Sequence, residues 1–282
     1  MQLIFLKEGT DKMKNYILIH PTSAVGMCGS IWQVIRAMYH YPNEKFYVLL
    51  GNDCLFYDPN VEDTQNVWEY YFEQPHAKNL PPKEEIIKEV GLLQDEFSEF
   101  RDNYMKSPTK DFIYKRRTEY NNIITQNLKL KPNLLNKINF YHDAYFKNKK
   151  VLGIHCRSTD HPDKIDIEYC MNMLDSLSNQ YDFIFASSDD ETQIKKLKDF
   201  FGKKLITHDS VRSFDGQPVH HRYDQRISGR SNYKVGEDVI IESYLLSKTN
   251  FLFCTTNSNV NYFIRALNPN LPYIIINHHY EA

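Results

Sequence analysis

The sequence predicts an α/β protein of two domains, each built on a parallel sheet, and three observations predict it. Short apolar runs recur along the chain, and each ends in glycine or polar residues. Segments with apolar side chains at helical spacing follow most of these runs, and strands alternating with helices imply a parallel sheet covered on both faces. The alternation stops near residue 77, gives way to charge-rich sequence, and restarts at 151, so the 282 residues divide into two domains of ordinary size.

NYILIH (15–20) is the first strand. PTSAVGMCGS supplies turn residues, and IWQVIRAMYHY resumes with large apolar side chains at helical spacing. KFYVLLGND (45–53) closes a βαβ unit. From about 77 to 148, EEIIKEVGLLQDEFSEFRDNYM and TKDFIYKRRTEYNNIITQNL place apolar residues three and four apart, so this stretch is expected to be helical and to cover a sheet rather than join it. Residues 1–148 therefore form the N-terminal domain with a helical insertion, and 149–282 form the C-terminal domain. That second part runs as strand 151–155, helix 166–179, strand 181–188, helix ETQIKKLKDFF, strand KLITH, polar loop 209–236, helix EDVIIESYLLSK, strand NFLFCTT, helix NVNYFIRAL and strand PYIIIN. Two such domains face each other across a cleft, where ligands gather at the carboxyl ends of the strands.

Composition narrows the chemistry. Lys plus Arg (34) nearly cancels Asp plus Glu (36), which excludes the strongly basic surface of a nucleic-acid binder. The five cysteines are odd in number and lack CxxC spacing, which argues against a disulfide framework or a thiolate zinc site and for a reducing compartment. The N-terminal apolar run breaks at Lys7 and Glu8, too short for a signal segment, and no later run has membrane-spanning length. A soluble, cytoplasmic chain is the expectation.

Three constellations carry chemistry. In HCRSTD (155–160), His155 and Arg157 stand two apart at a strand end, so both project to one side of the sheet edge. A guanidinium offers forked donors that match phosphate oxygens and stays charged; pairing of Arg157 with Asp160 beside a buried histidine accounts for the same residues. In FIFASSDDETQIKKL (183–197), Ser187, Ser188, Asp189 and Asp190 fit a helix N-cap. Adjacent aspartates do not supply the spaced carboxylates of a divalent site, so no metal is expected. In the segment 236–269, the strand ends in Thr255, Thr256, Asn257, Ser258 and Asn259 just before a helix, and its amides and hydroxyls suit a diphosphate or simple capping. Glu242 lies within the preceding helix, where a solvated face is the usual place for a Glu. The loop from Arg212 to Asp238 is rich in His, Arg and Tyr and is expected to close over a ligand, with Arg212 or His220 near its sugar or phosphates; long surface loops also carry such residues without function. Trp32, Trp68, Tyr70 and Tyr71 suit stacking on sugar rings or packing in a core.

In their order and spacing these segments resemble the three peptide motifs of the fucosyltransferase superfamily, which includes core α-1,6-, α-1,2- and protein O-fucosyltransferases and the rhizobial nodulation fucosyltransferases. HCRSTD is similar to that family's HxRRTD-type motif, FIFASSDDETQIKKL to its strand-then-aspartates motif, and Asp238 to Asn259 to its third. AVGMCGSIWQVIRAMYHYPNEKFYVLL looks like its glycine loop, helix and strand, and NVWEYYFEQP is a less specific match.

The resemblance implies a GT-B fold of two Rossmann-like domains, an inverting reaction without a metal, and a GDP-sugar donor, GDP-fucose, held by the C-terminal domain. By position, Arg157 would hold the β-phosphate, His155 would lie against guanine, and Glu242 would accept from guanine N1 and N2. Thr256, Ser258 and Asn259 would bind the diphosphate, Asp189 would support them, and Asp163, in the loop after the first motif, would serve as base. A loop carboxylate or a helix cap accounts equally for Asp163. Ser158 stands where the α-1,6 and α-1,2 enzymes keep a second Arg, so the acceptor, a glycan or glycoprotein hydroxyl, cannot be carried over from them. Use of another GDP-sugar and non-catalytic GDP-sugar binding are the alternative functions.

Overall fold

β1 (Tyr16–Ile19), α1 (Met27–His40) and β2 (Lys45–Val48) form the expected βαβ unit, with β1 parallel to β2. The computed structural model describes residues 15–21, 25–91, 110–159, 166–219, 231–255 and 258–276. All four β1 residues are buried, as a strand covered on both faces requires. Side-chain amides close the outer edge of β2: Gln74 accepts from Val48 N at 3.0 Å and donates to Val48 O at 2.8 Å, and Asn66 accepts from Leu50 N at 3.0 Å. They take the place of a further strand. The short α2 (Trp68–Tyr71) buries Trp68, Tyr70 and Tyr71, and Trp32 is buried with them in the same core, so all four aromatics are packing residues.

The first correction falls on EEIIKEV. Residues Ile86–Val90 form β3, parallel to β1, which gives the sheet order β2-β1-β3. Ile86, Ile87 and Val90 have helical spacing, yet a run this short also satisfies a strand, and pairing with β1 decides it. Residues 92–109 lie outside the described residues. Helices α3 (Lys110–Asn127) and α4 (Pro132–Tyr141) follow as expected.

β4 (Val151–Cys156), α5 (Met171–Ser178), β5 (Phe183–Ser188), α6 (Glu191–Phe201), β6 (Leu205–Thr207), α7 (Asn232–Ser247), β7 (Phe251–Cys254), α8 (Asn259–Leu267) and β8 (Tyr273–Ile275) make the second sheet. Its strands are all parallel, in the order β6-β5-β4-β7-β8. The order reverses between β4 and β7, the kind of switch point outside whose strand ends α/β proteins bind ligands. Among the described residues, no helix is long and apolar enough to cross a membrane.

α7 is the second correction, because it begins at Asn232 inside the expected loop. Ser231 Oγ accepts from Lys234 N at 3.2 Å, and two residues of the first half also hold the start: Asp58 accepts from Tyr233 N at 3.5 Å, and Tyr57 O accepts from Asn232 Nδ2 at 3.0 Å. This added turn packs on α2, where Tyr71 Oη donates to Tyr233 O at 3.0 Å and the two rings stack. Gly236 makes the approach possible. A Cβ there would lie 2.7 Å from Tyr71 Cζ, closer still to Oη, and 3.1 Å from Met27 Cε. Tyr71 is fully buried and has no room to retreat. Gly236→Ala is therefore expected to cost about 1–3 kcal/mol through overpacking, although alanine is the better helix former. Urea unfolding measures this, and stability equal to wild type would mean that α7 and α2 are less tightly apposed.

Candidate functional site

β4 divides its side chains between two cores. Leu152, Ile154 and Cys156 face the core beneath α5 and α6, whereas Gly153, where a Cβ would lie 2.7 Å from Thr249 Oγ1 and 3.1 Å from Leu246 Cδ2, faces the end of α7. Alternation puts His155, 4% exposed, on the α7 side. Across the ladder His155 is paired with Ser187 of β5, and Ser187 Oγ donates to Glu242 Oε2 of α7 at 2.6 Å. The two residues that the resemblance gives to the guanine are thus joined through one serine.

Glu242 is not on a solvated face. It is buried on α7, and its other oxygen accepts from Ser210 Oγ and lies 3.7 Å from Arg212 Nη2. Burial pushes its carboxyl up to about 7, against the opposing pull of the Arg212 charge and the two serine hydroxyls. His208, at the end of β6, contacts Ser210 Oγ at 3.0 Å through Nδ1. Burial, with the Lys234 and Arg212 charges, holds His208 down to about 3, so it is neutral at physiological pH. Arg212 turns inward from the loop: Nη2 donates to His208 O at 2.7 Å and Nη1 reaches Glu191 Oε2 at 3.4 Å. It sits beside Glu242. The contributions of His208 and Ser210 to this cluster were not foreseen, although HDS directly after the strand KLIT is a polar cluster at the carboxyl end of a parallel strand.

Beyond His155 the chain turns toward α6. Arg157 Nη1 pairs with Asp189 Oδ2 at 2.9 Å, and Asp189 also accepts from Ser158 N at 3.0 Å and from Thr159 Oγ1. Asp190 caps α6 by accepting from Thr192 N at 2.8 Å and takes the Ser158 hydroxyl at 2.9 Å. The adjacent aspartates divide their work: one caps the helix and the other anchors Arg157. Among the described residues, no group of three or more His, Cys, Asp or Glu side chains could hold a metal ion.

Across the switch point, Ser258 caps α8 by accepting from Asn261 N at 3.4 Å. Asn259 O accepts from Trp32 Nε1 at 3.1 Å, and a Cβ at Gly29 would lie 3.3 Å from Asn259 Nδ2, so the start of α8 meets the start of α1. Cys28 of α1 contacts Ser243 of α7 at 3.7 Å; burial pushes its thiol up to about 12, with Ser243 and the Arg157 charge pulling the other way. Arg157, α1, α7 and α8 therefore converge. Asp160, Asp163, His220 and Thr256 lie outside the described residues.

The fold is that of the GT-B fucosyltransferases. The chain superposes on fucosyltransferase NodZ from Bradyrhizobium with a TM-score of 0.54 at 12% identity, covering 94% of this chain and 97% of that one. NodZ α-1,6-fucosyltransferase co-crystallised with GDP gives 0.55 at 12% identity over 93% and 95% of the two chains. FUT1 of Arabidopsis thaliana in complex with GDP gives 0.54 at 12% identity over 94% and 71%. No protein-family model matches the sequence, and no curated protein matches it.

Glu242 and His208 oppose each other in the pH dependence of stability. Between its unfolded value near 4.5 and about 7, Glu242 carries a proton only when folded, so its contribution falls as pH rises. Between about 3 and 6.5, His208 carries one only when unfolded, so its contribution rises with pH. The two cancel from about pH 4.5 to 6.5. Relative to wild type, Glu242→Gln should add a positive slope of about 1.4 kcal/mol per pH unit in that window, and His208→Gln a negative one of similar size. Chemical denaturation at several pH values reads both slopes, and parallel profiles for the three proteins would exclude the compensation.

Proposed function

We propose that the chain is a glycosyltransferase that moves fucose from GDP-fucose to a hydroxyl of a glycan or glycoprotein, with inversion and without a metal. The observation that carries this reading is the ladder pairing of His155 with Ser187, whose hydroxyl reaches Glu242. It gathers the two candidate guanine contacts at the strand end from which Arg157 extends. The fold supports it, since NodZ has been soaked with GDP-fucose and co-crystallised with GDP.

Each oxygen of Glu242 accepts one serine hydroxyl, and a carboxylate offers about four acceptor positions. Two remain for the N1–H and N2–H of a guanine. Arg157, with Ser258 and Asn259 at the start of α8, meets the diphosphate, whose negative charge grows as the glycosidic bond breaks. Asp189 orients Arg157 from behind, and a planar guanidinium with five donors can hold a carboxylate on one edge and a phosphate on another. Thr256 completes the diphosphate site. Asp163 takes the proton of the acceptor hydroxyl as it attacks the anomeric carbon from the face opposite GDP, which leaves with the bonding pair.

Arg157→Ala is expected to lower the transfer rate by roughly 10²-fold or more, since a donor aimed at developing charge contributes about 2.7–4 kcal/mol. Calorimetric titration with GDP, UDP and ADP in the presence of EDTA should find GDP preferred by wild type and GDP affinity reduced in Arg157→Ala. No preference for GDP, or binding untouched by loss of Arg157, would set this function aside.

A further inference from the structure

We propose that Arg212 sets the base selectivity of the nucleotide site by holding Glu242 as a carboxylate; the inference rests on the assignment of Glu242 to guanine made above. The two protonation states of Glu242 recognise different bases. Ionised, it only accepts, which complements the adjacent N1–H and N2–H donors of guanine. Protonated, it has one donor and one acceptor, and that pair matches N1 and the amino group of adenine instead. Discrimination between two purine diphosphates therefore turns on one proton, and the buried surroundings of Glu242 favour keeping it.

Arg212 opposes that tendency and is built to do so. It is 8% exposed, with Nη2 on His208 O at 2.7 Å, Nη1 3.4 Å from Glu191 Oε2, and Glu242 Oε1 3.7 Å from Nη2. A guanidinium stays charged when buried, which an ammonium or imidazole does not reliably do. His208 is the evident alternative cation, but it is kept neutral. Asp238 also faces Glu242 and disfavours its charge, and it is occupied by Lys234 and by Val211 N at 2.8 Å. On the other elements packed around α7, Lys137 of α4 is held by Glu237 at 2.6 Å, Cys28 of α1 contacts Ser243, and His155 of β4 lies beside Ser187. Arg212 is thus the positive charge directed at this carboxylate among the described residues. It acts through Glu242 and is a positioning residue.

The test measures Kd for GDP and for ADP on the full chain between about pH 5.5 and 8.5, in wild type, Arg212→Gln, Arg212→Lys and Glu242→Gln. The ratio of the two constants is the readout, because the terminal phosphate titrates alike in both nucleotides and cancels. In wild type the preference for GDP should hold above about pH 7 and decline below it. Arg212→Gln should move that decline up by about one pH unit, so the ratio near pH 7.5 falls about threefold and recovers with added base. Arg212→Lys, whose buried ammonium loses its charge more readily, should fall between the wild-type and Arg212→Gln profiles, and Glu242→Gln should have a low ratio without a pH limb. A ratio in Arg212→Gln that equals wild type, or is reduced equally at every pH, overturns the proposal. Should that variant not fold, a wild-type ratio constant across the range overturns it as well. A Glu242→Gln ratio equal to wild type identifies a different failure, that of the guanine assignment, and this inference falls with it.

Discussion

Three carboxylates buried on one helix dictate the arrangement around the candidate site. Glu237, Asp238 and Glu242 lie within a turn and a half of α7, and all are nearly inaccessible to water. Burying a carboxylate without partners costs several kcal/mol, so each needs compensation from another part of the chain. Glu237 takes Lys137 of α4 at 2.6 Å and the Tyr233 hydroxyl at 3.0 Å. Asp238 takes Lys234 and the backbone N–H of Val211. Glu242 takes Ser187 of β5, then Ser210 and Arg212 of the segment after β6. The path of residues 208–213 answers these demands together with its own backbone bonds, Ser210 N to His208 O at 3.0 Å and Ser213 N to Asp189 O at 2.9 Å, and α4, β5 and β6 are held to one helix.

The same helix explains what was legible in the sequence and what was not. The strands of the second sheet were readable because a strand covered on both faces carries an unbroken apolar run, as FIFA within FIFASS and FLFC do. The helices ETQIKKLKDFF and NVNYFIRAL match α6 and α8 residue for residue, since an Asp or Ser cap opens each one. β3 was missed because Ile86, Ile87 and Val90 stand at helical spacing, and only β1, some seventy residues away, selects the strand. The first turn of α7 was missed for a related reason. NYKVG contains a glycine and follows a polar loop, and the groups that hold it, Tyr57, Asp58 and Tyr71, belong to the other half of the chain.

At the site, His155 and Arg157 were legible because a strand end announces itself locally. The surroundings of Glu242 were not. Helical position alone placed it toward solvent, and only the crossing of α7 over β4 and β5 brings Ser187 and the post-β6 segment to it. Asp189 and Asp190 illustrate the same limit. Two adjacent acids before a helix signal a cap, and the sequence contains nothing to say which of them turns back to Arg157.

The two ends of the site differ in how firmly their charges are held, and that difference suits the chemistry proposed for them. Base recognition requires fixed acceptors, and Glu242 is fixed by two serine hydroxyls within a buried network, where moving one member strands the others. Charge stabilisation requires a cation that can hold its carboxylate partner and the diphosphate together. Arg157 and Asp189 keep 20% and 14% side-chain exposure, so solvent reaches the edge of this pair. Arg157 can keep Asp189 on one edge while a diphosphate takes another, whereas displacing Ser187 or Ser210 from Glu242 would leave a buried charge short of donors. The buried network thus serves discrimination between bases, and the part-exposed ion pair serves the change in charge during transfer.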